Sequence, residues 1–144
     1  NLEKIKSKIS LHNNLKLEPI DEKYYYKALE EEWSKDFVGN FKDYADFSSH
    51  GFGYVITKNE KIIAGTSTFS YHKDGVEIEV STREDYRGRG LAQISSAAFM
   101  LECLKRSLVP SWDARNKASL AISKHMGFEY TGKYIAFEFI ERKI

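Results

Sequence analysis

The side chains most able to do chemistry lie close together in the middle of the chain. Glu77 and Glu79 stand two residues apart, and Arg87-Gly88-Arg89-Gly90 follows them. In a strand, side chains two apart share a face. Carboxylates that share a face disfavour each other's ionisation, which is one way to make a base that takes a proton from an ammonium group. The alternative is a solvated face on which both pair with lysines. Of the two, Glu79 is the preferred base and Glu77 the reserve, provided that no bulge reverses the facing. The Arg-Gly-Arg-Gly run suits an anion if a helix follows it. A helix's first N–H groups have no intrahelical acceptor, and its dipole places partial positive charge at that end. Glycines let a phosphate approach the main chain, and arginines add charge. The expectation is a phosphate-bearing ligand held at Arg87, Gly88, Arg89, Gly90, Leu91 and Ala92; a plain connecting turn is the alternative.

The flanking sequence supplies the elements that this site needs. Val76 to Thr82 alternates apolar and polar residues and reads as a strand. From Leu91 to Ser107 apolar residues recur at helical spacing, at Ile94, Ala98, Leu101, Leu104 and Leu108. Two familiar phosphate motifs are absent. No lysine follows Gly90, as a nucleotide P-loop requires, and Gln93 stands where a dinucleotide-binding fingerprint needs its third glycine.

A second segment lies downstream: Pro110-Ser111-Trp112-Asp113-Ala114-Arg115-Asn116-Lys117-Ala118-Ser119, a helical stretch to Met126, then Gly127-Phe128. Arg87-x-x-Gly90-x-Ala92 matches the R/Q-x-x-G-x-G/A signature of the GNAT superfamily of acyl-CoA N-acyltransferases. The downstream segment resembles that superfamily's N-x-x-S/A helix with its closing Gly-Phe. The resemblance is good from about Gly51 to Phe139 and thin before that. Glu77-Ile78-Glu79, Tyr-Arg-Gly-Arg-Gly-Leu-Ala, Cys103-Leu104 and Pro110-x-Trp-Asp-Ala-x-Asn-x-x-Ser look like one branch of it, typified by the zwittermicin-resistance acetyltransferase.

The resemblance implies a mixed, mostly antiparallel sheet flanked by helices, with the motif strand and the Pro110 strand diverging to admit a pantetheine arm. It implies acetyl-CoA as acyl donor, with direct transfer to a primary amine of a small molecule in a ternary complex; no metal is expected, for want of metal-ligand spacing. Backbone N–H groups near Thr82 then polarise the acetyl carbonyl, and Arg87 to Ala92 cradle the pyrophosphate. Asn116 and Ser119 fall where the family contacts CoA, although either equally suits a helix cap. The chain departs from the family at Ser123, where many members have a tyrosine that protonates the leaving thiolate. That leaves the general acid unassigned, with Tyr130, Tyr134 or water as substitutes. It also keeps open a second function, a non-catalytic acyl-CoA-binding sensor or scaffold.

Composition bounds these readings. With 144 residues, 42% hydrophobic, the chain supports one domain with a core, spanning 1–144. Residues 1–14 are basic and polar and read as a short helix or a tether to an upstream segment, since the chain begins at Asn1 rather than Met. The balance of 22 basic and 21 acidic residues gives a net charge of +1, which argues against a nucleic-acid partner. No apolar run approaches the ~20 residues of a membrane span, so no membrane partner is expected. One cysteine, Cys103, allows no intrachain disulfide, which fits a cytoplasmic location; it reads as a small core residue rather than a reactive thiol. The four histidines, His12, His50, His72 and His125, share no metal-ligand spacing with each other or with Cys103. A homodimer is left open.

The order read from the chain is β-α-α-β-β-β-α-β-α-β-β. Asp21 is expected to cap a first helix running to about Trp33, and a second helix to cover Asn40 to Phe47. Strands are expected at Leu15 to Ile20, Gly53 to Lys58 and Lys61 to Ser70, with a tight turn at Asn59-Glu60. Trp33, Phe37, Phe41, Tyr44 and Phe47 read either as core or as one wall of an acceptor pocket. Asp36, Asp43 and Asp46 read as countercharge to a cationic acceptor or as solvated surface.

Overall fold

The computed structural model describes residues 3, 14–73, 75–113, 128–130 and 136–139. Among them the strands are β1 (Leu15–Pro19), β2 (Gly53–Lys58), β3 (Lys61–His72), β4 (Gly75–Thr82), β5 (Val109–Asp113), β6 (Phe128–Tyr130) and β7 (Ala136–Phe139). The helices are α1 (Glu22–Leu29), α2 (Tyr44–His50) and α3 (Leu91–Arg106), with 3-10 turns at Lys35–Phe37 and Glu84–Tyr86. The seven strands form one sheet in the order β1-β2-β3-β4-β5-β7-β6. Only β4 and β5 pair in parallel among these neighbours, so the sheet is mixed and mostly antiparallel, as expected. The expected helix after Asn116 and the N-terminal segment fall outside the described residues.

Two layers cover the sheet. On one face, α3 packs Leu91, Ala98 and Phe99 against Tyr54, Ile56, Ile63, Val76 and Ile78. On the other, α1, the Lys35–Phe37 turn and α2 seat Tyr24, Tyr25, Phe37, Phe41 and Phe47 over Val55 and Ile62. Gly65 lets Phe37 pack close to β3: a Cβ there would meet the Phe37 ring at 3.0 Å, so the ring would have to shift.

The first two helices differ from their predicted spans. Asp21 caps α1 by accepting from the Tyr24 N–H at 3.0 Å, but the helix ends at Leu29 rather than Trp33. The buried Ser34 hydroxyl donates to the Ala28 carbonyl at 2.7 Å, satisfying a carbonyl at the helix end and turning the chain so that Phe37 enters the core. The second helix starts at Tyr44 rather than Asn40, because Asp43 accepts from the Asp46 N–H while Asp46 accepts from the Lys42 N–H. That reciprocal cap fixes the helix start. Asn40 instead donates its side-chain amide to the Phe69 carbonyl.

In α3 the period was legible and its phase was not. Ile94 and Ala98 pack inward, but Leu104 is exposed and Leu101 only half-buried. Ser95, Ser96, Phe99, Met100 and Cys103 occupy the buried stripe instead. The two serines are admitted because the Thr66 hydroxyl meets them at 2.8 and 3.1 Å.

Candidate functional site

The junction between β4 and α3 is built from backbone. Gly88 and Gly90 have φ of +80° and +77°, and among the described residues, their chain neighbours aside, nothing lies within 4 Å of where a Cβ would stand on either. These left-handed angles carry the chain from the Glu84–Tyr86 turn into the first turn of a sixteen-residue helix. Gly90 offers the helix no side-chain cap, so the N–H groups of Leu91, Ala92 and Gln93 keep no intrahelical acceptor; the ladder begins with Ile94 donating to Gly90. Arg87 and Arg89 are both exposed at this end. Arg87 Nε donates to the Thr82 carbonyl at 3.2 Å, which ties its guanidinium back to the strand end. The Arg89 guanidinium lies 4.9 Å from the Tyr86 ring centroid. Tyr86 and its hold on Arg89 had no sequence signal beyond adjacency to the motif.

Beside this loop β4 extends past its pairing with β5 among the described residues. Its parallel pairing with β5 runs from Gly75 opposite Val109 to Ile78 opposite Trp112, while β4 itself continues to Thr82. Arg83 donates its N–H to Ile63 of β3 at 2.8 Å. Because backbone groups alternate between the two edges of a strand, Thr82 and Val80 present theirs to the β5 side, beyond the end of the pairing. Thr82 was expected there; Val80 was missed, because backbone direction depends on the register.

Glu77 and Glu79 share a face. The ladder with β3 has its irregularity at Thr68/Ser70, so the extra residue sits in β3 and the alternation of β4 is intact. Val76 and Ile78 point into the α3 cluster, which puts both glutamates on the opposite face, toward α1 and α2. Both are half-buried. Glu77 accepts from the Ser70 hydroxyl at 3.0 Å. Glu79 lies opposite the buried Ser67.

Several residues weighed for chemistry have structural partners. Phe37, Phe41 and Phe47 are core, and Trp33 and Tyr44 pack partly buried against them. Asp43 and Asp46 cap α2, and Asp46 is held below the usual carboxylate range by the Lys42 N–H and then by His50, whose Nδ1 lies 2.9 Å from it. The His50 ring stacks flat on Tyr71 at 4.7 Å. Cys103 is buried among Phe52, Phe99 and Met100, and burial pushes its thiol up to about 12, so it is no nucleophile near neutrality. No group of three or more His, Cys, Asp or Glu among the described residues could hold a metal ion. Asn116, Ser119, Ser123, His12 and His125 lie outside the described residues. No helix among the described residues is long and apolar enough to cross a membrane.

Comparison with known proteins gives a consistent result. The family model for GNAT acetyltransferase matches residues 1–137. The uncharacterized N-acetyltransferase YdfB of Bacillus subtilis (strain 168) is 28% identical over 95 residues, which are 65% of this chain and 36% of YdfB. The crystal structure of a GCN5-related N-acetyltransferase-like protein from Streptococcus suis 89/1591 superposes with a TM-score of 0.84 at 39% identity. That match covers 95% of this chain and 53% of the other. This chain thus spans about a third of one relative and about half of the other. A GNAT family acetyltransferase from Elizabethkingia anophelis, solved with acetyl-CoA bound, shares the fold with a TM-score of 0.58 at 17% identity, covering 83% of this chain and 78% of that one.

Proposed function

The chain belongs to the GNAT acetyltransferase family, and on that premise we propose that it transfers the acetyl group of acetyl-CoA to a primary amine of a small molecule. The observation that carries this reading is the β4–α3 junction. Two glycines with left-handed φ, their Cβ sides clear of the described residues, lead into helix N–H groups without an intrahelical acceptor, beside a strand edge that β5 does not pair. The pyrophosphate of CoA fits that surface, because it needs close main-chain approach and positive charge together.

Arg87, Gly88, Arg89, Gly90, Leu91 and Ala92 hold the pyrophosphate in this reading, and Asn116 and Ser119 contact the CoA from the opposite wall. The N–H groups of Val80 and Thr82 bind the pantetheine arm and polarise the acetyl carbonyl. Bound acetyl-CoA supplies an activated thioester carbonyl. Glu79 takes the proton of the incoming ammonium, directly or through water, and Glu77 stands in reserve. Both face the layer formed by α1 and α2, so the amine enters from that side and attacks directly in a ternary complex. The Pro110-x-Trp-Asp-Ala-x-Asn-x-x-Ser segment supports placing the chain on the zwittermicin-resistance-type branch. A cytoplasmic location suits its single, buried, unpaired cysteine.

One feature favours a second reading. Ser123 stands where many family members have the tyrosine that protonates the thiolate, and an acyl-CoA-binding sensor or scaffold needs no such acid. Calorimetric titration with acetyl-CoA, repeated on Arg87→Ala/Arg89→Ala, tests what both readings share. Micromolar affinity that drops about a hundredfold in the double variant is expected, from two lost charge-assisted contacts. No binding by folded wild-type protein would sink both. Turnover with any amine then separates enzyme from sensor.

A further inference from the structure

The β2–β3 hairpin breaks a local rule of sheet construction. Lys58 and Lys61 are direct cross-strand partners on either side of the Asn59–Glu60 turn. Like charges placed directly opposite each other are destabilising. The turn does not demand them, because its constraint lies in Asn59 and Glu60, at φ of 51° and 65°. Neither lysine is ion-paired among the described residues.

Their direction links them to the β4–α3 junction. Ile62 packs in the cluster beneath α1 and Ile63 in the cluster beneath α3, so by alternation Lys61 projects on the α3 side, and its partner Lys58 with it. There a cleft of about 390 Å³ is lined by Lys58, Lys61, Arg83 and Asp85, with Ile63 and Tyr86 among its walls. Asp85 pairs with Arg83 at 3.2 Å, so three cations face one carboxylate. Lys58 Nζ lies 5.9 Å from the centroid of the Tyr86 ring, the same ring that carries Arg89. Basic side chains therefore flank Tyr86 on both sides, Arg89 at the loop and Lys58 at the hairpin. A water takes up about 30 Å³ of liquid, so the cleft admits a phosphate group with several waters.

We infer that Lys58, Lys61 and Arg83 form a second phosphate site, suited to a dianionic phosphate group, beside the pyrophosphate loop. Lysine ammoniums supply point charge and the arginine supplies a planar fork, the combination that holds a terminal phosphate. Two sources carry that chemistry. One is the 3′-phosphate on the ribose of CoA, which rests on the donor reading above; the other is a free phosphate ligand, which does not.

The test compares acetyl-CoA with acetyl-dephospho-CoA in wild type and in Lys58→Ala/Lys61→Ala, with circular dichroism to check folding. A parallel arm titrates inorganic phosphate and follows the backbone amides of Lys58, Lys61 and Tyr86 by NMR. If the donor's phosphate sits here, wild type prefers acetyl-CoA by about tenfold, one strong charged contact, and the variant binds both donors equally. If the occupant is a free phosphate, both proteins treat the donors alike, while phosphate shifts those amides in wild type and not in the variant. Donor preference unchanged by the substitutions, together with amides that ignore phosphate, would overturn the inference and leave acetyl-CoA binding intact. Failure of wild type to bind acetyl-CoA would instead remove the donor reading, and the phosphate arm would then decide this one alone.

Discussion

The loop at Arg87 to Ala92 and the face bearing Glu77 and Glu79 belong to neighbouring stretches of chain, yet they are made differently. In the proposed reading the loop is a backbone site. Its shape comes from two positive φ angles, and its donors are main-chain N–H groups that any sequence would present there. The glutamate face is a side-chain site. Its two carboxylates are directed by the alternation of β4, and what they meet is set by a bulge in β3 and by packing of the α1–α2 layer. A backbone site tolerates change in the side chains that do not bend it and fails when the bend is lost. A side-chain site fails at single atoms and keeps its fold.

The largest expected effect tests the side-chain half. Glu79→Gln removes a proton acceptor and preserves shape, so kcat should fall by about a hundredfold or more, while acetyl-CoA affinity by calorimetry stays within twofold. Glu77→Gln should cost only a few-fold, because Glu77 lies farther along β4 from the acetyl-binding end at Thr82. A reversed ranking would exchange the two roles. Equal and small losses would mean that water removes the proton unaided.

Gly90→Val probes the backbone half. A β-branched residue at φ of +77° is strained by about 1–2 kcal/mol. Among the described residues nothing lies within 4 Å of a Cβ built there, so a loss comes from the bend or from contact with the ligand. Acetyl-CoA affinity should drop by tenfold or more while kcat at saturating donor changes little. Gly90→Asn should lose far less, since asparagine tolerates the left-handed region. Equal losses for the two would show that bulk beside the ligand, and not the bend, is what matters.

The contrast also explains what could be read from the chain. The loop was legible because Gly88 and Gly90 are a local signal: the angles they permit belong to the same residues that make the site. Asp21 as a cap and Asn59-Glu60 as a turn were legible for the same reason. The glutamate face was only half legible. Alternation placed both carboxylates on one face, but only the pairing shows that the bulge lies in β3, and only packing shows which layer they address. Val80 went unnoticed because the direction of its N–H follows from Arg83 bonding to Ile63, a contact across strands. The aromatics from Trp33 to Phe47 favoured core over pocket wall; packing places Phe37, Phe41 and Phe47 in the core and leaves Trp33 and Tyr44 partly exposed at its edge. In α3 the leucines suggested one stripe, whereas Thr66 on a distant strand made room for Ser95 and Ser96 on another.

That hydroxyl cluster supplies the smallest effect and the finest test of the contrast. Thr66 is fully buried, and so are both serines. Thr66→Val keeps the volume and removes the group that meets both serines. Ser95 retains the Ala92 carbonyl at 3.2 Å, but Ser96 loses the one hydrogen bond shown for it. A buried hydroxyl left without a partner costs about 1–3 kcal/mol, and a urea melt should read a loss at the lower end of that range. Adding Ser96→Ala removes the stranded hydroxyl, so the double variant should recover part of the loss, a coupling that a double-mutant cycle measures directly. Acetyl-CoA affinity should stay within about threefold throughout, because the bend at Gly88 and Gly90 is made by those residues and not by the seat of the helix. If affinity instead falls in step with stability, the loop takes its shape from how α3 sits on the sheet, and the line between a backbone site and a side-chain site dissolves.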